Sequence, residues 1–145
     1  MGFFDFLKNK NIHNDNGLNE IYYDYGRGAI EARFFKKNGK LEGVSKHYYR
    51  SGELEMEANM KNGEAQFPSV KFYYKSGQLK AESKAINGDQ FEGTHLYYYE
   101  SGQLKREDYV KNGKILSEKC WDEKGNEKKC KNNDGSSHDI STWNS

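Results

Sequence analysis

The residues of this chain whose types could do chemistry are four histidines, two cysteines and a serine that recurs. The histidines are His13, His47, His95 and His138, and no two stand at the i, i+4 spacing that aims a ligand pair from one helical face. Cys120 and Cys130 lie ten apart, with no Cys-x-x-Cys. A zinc site takes about four such ligands. The chain offers no compact cluster, so neither a metal nor another cofactor is expected. The cysteines straddle Gly125, a turn that would let the sulfurs approach, but in a reducing compartment the pair is expected to stay reduced. Ser51, Ser76 and Ser101 occupy one recurring position. Nucleophilic catalysis needs a base beside the serine, whereas a serine repeated at every turn is explained by the turn, whose backbone it can bond. Gly26-x-Gly28 is too short to be a phosphate or dinucleotide loop. No enzyme activity is expected.

The elements that position these residues come from a repeat. Tyr48-Tyr-Arg-Ser-Gly-Glu-Leu54, Tyr73-Tyr-Lys-Ser-Gly-Gln-Leu79 and Tyr98-Tyr-Glu-Ser-Gly-Gln-Leu104 are copies of one segment, with Gly52, Gly77 and Gly102 recurring every 25 residues. A weaker copy, Asp24-Tyr-Gly-Arg-Gly-Ala-Ile30, puts Gly28 24 residues before Gly52, and a degenerate one ends at Gly125. A second mark runs in phase: Gly39, Gly63, Gly88 and Gly113, each preceded by Asn, lie 11 residues after the first four. Asn-Gly specifies a two-residue hairpin turn, because both residues tolerate positive φ. The Ser-Gly mark suits a tight hairpin with glycine in the left-handed position. Between the marks, Glu53-Leu-Glu-Met-Glu-Ala-Asn-Met60 alternates polar and apolar residues, the period of a half-buried strand. Two turns per repeat give two strands per repeat. The fold class is therefore all-β: a single extended antiparallel meander sheet of tandem β-hairpins over residues 20–130.

A three-residue loop at Arg50-Ser-Gly52 sets Tyr49 against Glu53 and Tyr48 against Leu54. One face then carries Tyr48, Leu54 and Met56, with Tyr73, Leu79, Ala81, Tyr98, Leu104 and Leu96. The other carries an aromatic ladder of His47, Tyr49, Phe72, Tyr74, Tyr97 and Tyr99, opposite Glu55, Lys80 and Lys105. A one-residue slip would exchange the faces. The leucine face is expected to be the more buried. The ladder is either scaffold, through cross-strand ring pairs, or the surface on which a partner docks.

Composition agrees with a structure of little dry core. Hydrophobic content is 34% and charged content 31%, yet aromatics reach 14%, more than a disordered chain carries. Tyrosine supplies buried area with a polar tip. The net charge of +1 argues against nucleic acid, whose readers carry a basic footprint. No run is long enough for a transmembrane helix. The start lacks a secretory signal, and Phe6 sits where myristoylation requires Ser or Thr. A cytoplasmic address is expected and a membrane partner is not. Residues 1–19 read as a capping segment in which Phe3, Phe4, Phe6 and Leu7 form a short helical turn, either a flap over the first edge strand or a contact for membrane or partner. Residues 131–145 read as a polar, disordered tail.

The Tyr-Tyr-x-Ser-Gly-x-Leu segment followed by Asn-Gly resembles the MORN-repeat variant found in bacteria, over residues 20–130. The family's further glycine after Asn-Gly is matched by Gly43 and Gly93, six before Tyr49 and Tyr99, and replaced by Pro68, where a break or bulge is expected. The resemblance implies a binding protein without catalysis. More narrowly, it implies an antitoxin or immunity protein that binds a cognate toxin in the cytoplasm. The alternative it leaves is a scaffold that binds membrane lipid or assembles other proteins.

Overall fold

The computed structural model describes residues 14–24, 27–86 and 89–131. The expected helical turn around Phe3–Leu7 and all of the expected tail except Lys131 lie outside the described residues. Among the described residues, ten strands form one antiparallel sheet in chain order. They are β1 (Gly17–Asp24), β2 (Arg27–Lys37), β3 (Lys40–Tyr48), β4 (Leu54–Lys61), β5 (Glu64–Tyr73), β6 (Leu79–Ile86), β7 (Asp89–Tyr98), β8 (Leu104–Lys111), β9 (Lys114–Trp121) and β10 (Glu127–Lys128). The sequential hairpin meander is thus as the turn spacing predicts.

Both turn types form as their residues dictate. Asn38, Asn62 and Asn112 take φ of 51, 52 and 52°, each followed by a glycine of positive φ, and their strands close directly at Lys37↔Lys40, Lys61↔Glu64 and Lys111↔Lys114. The Ser-Gly loops hold three residues. Tyr49 N–H donates to Glu53 C=O at 2.8 Å while Gly52 N–H donates to Tyr49 C=O, and Tyr74 and Tyr99 repeat the pair. The degenerate last copy closes the same way between Asp122 and Asn126, with Asp122 Oδ1 accepting from Lys124 and Asn126 N–H.

Each even strand after a Ser-Gly loop carries one extra residue. Tyr48 pairs Leu54 but His47 pairs Met56; Tyr73 pairs Leu79 but Phe72 pairs Ala81; Tyr98 pairs Leu104 but Tyr97 pairs Arg106. Glu55, Lys80 and Lys105 are the additional residues of these bulges. A bulge puts two residues against one and resets which face follows. Met56 and Ala81 therefore belong to the ladder's face, not to the leucine face on which strict alternation set them.

The core lies on that ladder face, which corrects the expectation that the leucine face is the more buried. One row crosses nine strands: Ile21, Ala32, His47, Met56, Phe72, Ala81, Tyr97, Arg106 and Cys120. Most of it is buried, with Phe34, Leu41, Ala58, Met60 and Val70 around its first half. The opposite face carries a row of mostly charged residues: Glu20, Arg33, Lys46, Glu57, Lys71, Glu82, Leu96, Glu107 and Lys119. Leu96 stays on this outer face with Leu104, and Tyr73 and Tyr98 donate their hydroxyls there to Glu57 and Glu82 at 2.6 and 2.8 Å. The β4–β5 register shifts by three residues between Glu57 and Asn59, across the segment that holds Pro68, so a break lies where one was expected; β6–β7 shifts equally between Ala85 and Ile86 beside Gly93, so the irregularity belongs to this position of the repeat rather than to proline alone.

Candidate functional site

The ladder is assembled at the ends of the odd strands, where each Ser-Gly loop begins. Its outermost rings reach across the sheet. The hydroxyl of Tyr49 donates to Tyr73 C=O at 2.8 Å, that of Tyr74 to Tyr98 C=O at 2.7 Å, and that of Tyr99 to Trp121 C=O at 2.9 Å. Each bond skips one strand and ties a repeat to the next. Tyr23 begins the series, donating to Tyr48 C=O at 2.5 Å. The first copy therefore aligns through Tyr22-Tyr23 with Tyr48-Tyr49, and not by setting Gly28 on Gly52. The series ends at Asp122, which stands where the next tyrosine would be.

Cations cover these rings. Arg50 lies 5.1 Å from the Tyr23 centroid, Lys75 5.5 Å from Tyr49, Lys80 5.7 Å from Tyr74 and Lys105 5.4 Å from Tyr99. Contacts of this kind are worth about 0.5–1 kcal/mol at exposed sites. Lys80 and Lys105 are the bulge residues, so the bulge is what aims them. Glu55, at the same position of its strand, instead lies 2.7 Å from His47 Nδ1. The structure thus brings His47, Tyr49, Tyr74, Tyr99, Glu55, Lys80 and Lys105 to one face, with half-buried Phe72 and buried Tyr97 in the row beside them. Burial first, then nearby carboxylates, holds the phenols of Tyr49 and Tyr74 above the usual tyrosine range. Both remain protonated donors at neutral pH.

The recurring serine acts in its turn. Ser51 donates to the carboxylate of Glu53 two residues on, which draws that carboxyl below its usual range.

The sequence reading missed a second polar group. Ser83, His95, Asp108 and Glu118 follow one another on β6 to β9, on the core face. The first three are 0%, 3% and 0% exposed. Arg106 Nε donates to Asp108 Oδ1 at 2.7 Å and its terminal nitrogen to Glu118 Oε2 at 2.8 Å. Ser83 Oγ and His95 Nδ1 have no hydrogen-bond partner among the described residues, and burial pushes His95 down to about 4. Catalysis at Ser83 would need substrate access, which complete burial denies. The alternation of these strands was the available signal, but polar residues at core positions do not announce themselves in sequence.

Among the described residues, no group of three or more His, Cys, Asp or Glu comes together to hold a metal ion. Cys120 and Cys130 are joined in a disulfide, where a reduced pair was expected. The hairpin at Asp122–Asn126 returns the chain on itself and brings the two sulfurs together.

The Tyr-Tyr-x-Ser-Gly hairpins are the units that comparison recognises. Residues 41–62, 69–87 and 91–112 match the MORN repeat variant. Two of these MORN-variant segments are whole hairpins, β3–β4 and β7–β8, and the middle one is the second half of β5 with β6. MORN repeats point to a repeat scaffold for protein or lipid binding. No curated protein and no solved structure matches the chain.

Proposed function

We propose that this protein is a binding protein whose aromatic ladder docks a partner protein, and that the partner is a toxin it neutralises. The observation that carries the docking face is the ladder's construction. Tyr49, Tyr74 and Tyr99 are each fixed at the hydroxyl by a backbone carbonyl and covered by a cation. Rings held in this way lose little freedom on binding, and such anchors commonly carry most of an interface's affinity, often about 2 kcal/mol or more each. The row of Arg50, Lys75, Lys80 and Lys105 favours an acidic complement on the partner. Toxin neutralisation rests on the resemblance to the bacterial MORN variant, and a cytoplasmic place of action goes with it. The Cys120–Cys130 bridge supplies a check on that address, since bridges are uncommon in reducing compartments. Thiols that label freely in protein taken from cytoplasmic extract support it; a bridged pair in the native protein counts against it.

The experiment is co-expression with the toxin encoded beside the gene, followed by co-purification and a toxicity assay. Tyr74→Ala and Tyr99→Ala are expected to lose both complex and protection while still folding cooperatively, at a cost in stability somewhat larger than that of the matching Phe variants. A complex that survives both substitutions rejects the ladder as the contact, and absence of protection by the parent rejects neutralisation. The same row of cations keeps one second reading, binding to an anionic lipid surface. Retention on vesicles containing phosphatidylserine, lost in 0.5 M salt, would favour it.

A further inference from the structure

Asn38, Asn62 and Asn112 take nearly the same left-handed φ and each is followed by glycine, yet their turns are not held alike. An Asn-Gly pair can modify itself. The glycine nitrogen, once deprotonated, attacks the Cγ of the asparagine side chain. The new N–Cγ bond closes a five-membered succinimide, and ammonia leaves. Water then opens either ring carbonyl, giving aspartate or isoaspartate. The attack requires the turn to leave its native geometry, so its rate follows local opening. It also requires negative charge on a backbone nitrogen, which a nearby carboxylate opposes and nearby ammonium groups favour.

Two of the turns are locked to the chain before them. Gly39 N–H donates to Asp15 C=O, and Asn38 N–H to Asn16 Oδ1 at 2.8 Å. Gly63 N–H donates to Leu41 C=O, and Asn62 N–H to Glu42 Oε2 at 3.0 Å. Glu92 stands 20 residues before Asn112, as Glu42 stands 20 before Asn62. It is turned elsewhere: its Oε1 accepts from the Tyr109 hydroxyl at 3.4 Å and lies 3.5 Å from Lys111 Nζ. The residue matching Tyr109 in the earlier hairpin is Asn59, which has no hydroxyl to draw Glu42 away. Among the described residues, no side chain accepts from Asn112 N–H. Lysines flank this turn on both sides, paired as Lys111↔Lys114, whereas Asn62 and Gly63 lie between Lys61 and Glu64.

We propose that Asn112 is a self-modification site: of the described Asn-Gly turns, it is the one that converts first to aspartate and isoaspartate. The product matters because the turn holds only two residues. Isoaspartate routes the backbone through the side-chain carbon and adds a methylene to it, so Lys111 and Lys114 no longer meet in register and the β8–β9 hairpin loosens from its turn. The other end of these strands, where the Tyr99 hydroxyl meets Trp121 C=O, keeps its geometry. The site goes beyond docking on the ladder and stands or falls separately from it.

The test incubates the intact protein at pH 8 and 37 °C and follows chymotryptic peptides by mass, with aspartate and isoaspartate separated by retention. Asn112 is expected to convert at least about fivefold faster than Asn62, with Asn38 between them. In 6 M guanidinium chloride the three are expected to convert within about threefold of one another, because no turn is then locked. Glu42→Ala is expected to speed Asn62 at least about threefold. Tyr109→Asn, which recreates the residue of the earlier hairpin and releases Glu92, is expected to slow Asn112 by a similar factor. Three results would each overturn the proposal. Asn62 or Asn38 converting as fast as Asn112 in the folded protein would remove the preference. The same spread of rates in guanidinium would mean that local sequence sets the order and the turn bonds do not. Rates unmoved by both Glu42→Ala and Tyr109→Asn would remove the role of the carboxylate.

Discussion

His95 is the residue whose chemistry is most displaced by its surroundings. Burial holds its imidazole neutral down to about pH 4, against an ordinary value of 6.5. Its cross-strand neighbours are Ser83 and Asp108, and Arg106 donates both to Asp108 and to Glu118. The folded pKa is the lower one, so the unfolded chain binds the extra proton first. The stability this histidine contributes is complete above pH 6.5 and is lost as pH falls from there towards 4, up to about 3 kcal/mol. Urea unfolding at pH 7.5, 5.5 and 4.5 is expected to show that decline, and His95→Gln to flatten it. The carboxyls of Glu20, Glu53 and Asp122 are held below their usual range, mainly by hydrogen bonds from Tyr22, Ser51 and Asn126. At the ladder, Tyr74→Phe removes the donor to Tyr98 C=O and keeps the ring. It is expected to cost about 1 kcal/mol of stability with partner affinity within a few-fold of the parent, whereas Tyr74→Ala loses affinity.

Turns and bulges govern the next scale. A Cβ at Gly63 would meet nothing nearer than Lys40 Cβ at 4.0 Å, so space is not what excludes a side chain there. The φ of 84° is. Gly63→Val is expected to destabilise by about 1–3 kcal/mol and Gly63→Asn by much less, read from denaturant midpoints at unchanged slope. Ser101→Ala is expected to cost under about 1 kcal/mol and to leave binding intact. A loss of binding at full stability would overturn the turn role of the serines. The bulges at Glu55, Lys80 and Lys105 decide more than their length suggests. One extra residue per even strand moves Met56 and Ala81 onto the ladder's side, and the core moves with them.

Across the whole molecule, neighbouring repeats are tied at both ends of their strands. Tyrosine hydroxyls cross at the Ser-Gly loops. At the Asn-Gly turns Gly63 N–H donates to Leu41 C=O and Gly39 N–H to Asp15 C=O, each at 2.9 Å. A sheet with such ties is expected to unfold in few cooperative steps despite being quasi-linear. The disulfide staples the β9–β10 hairpin, the shortest among the described residues. For a loop of about ten residues the chain-entropy argument gives about 2–3 kcal/mol. Cys130→Ser, or a reductant, is expected to lower the thermal midpoint by several degrees and to raise exchange first in β9 and β10.

The strand order and turn positions were legible in the sequence, as was the pairing of Tyr48 with Leu54, because Asn-Gly and Ser-Gly impose backbone geometry that no distant contact overrides. The composition of the ladder was legible for the same reason: residues at one offset from a turn fall on one face. Which face is buried was decided by tertiary structure. A bulge reverses alternation without leaving a mark in the residue pattern, so Leu54 and Met56, two apart in one strand, belong to opposite sides. The tyrosine bonds to carbonyls two strands away, the polar row of Ser83, His95 and Asp108, and the union of Cys120 with Cys130 likewise depend on strands brought together by pairing. Local turn chemistry is short-ranged and readable; burial and side-chain partners are sums over the whole sheet.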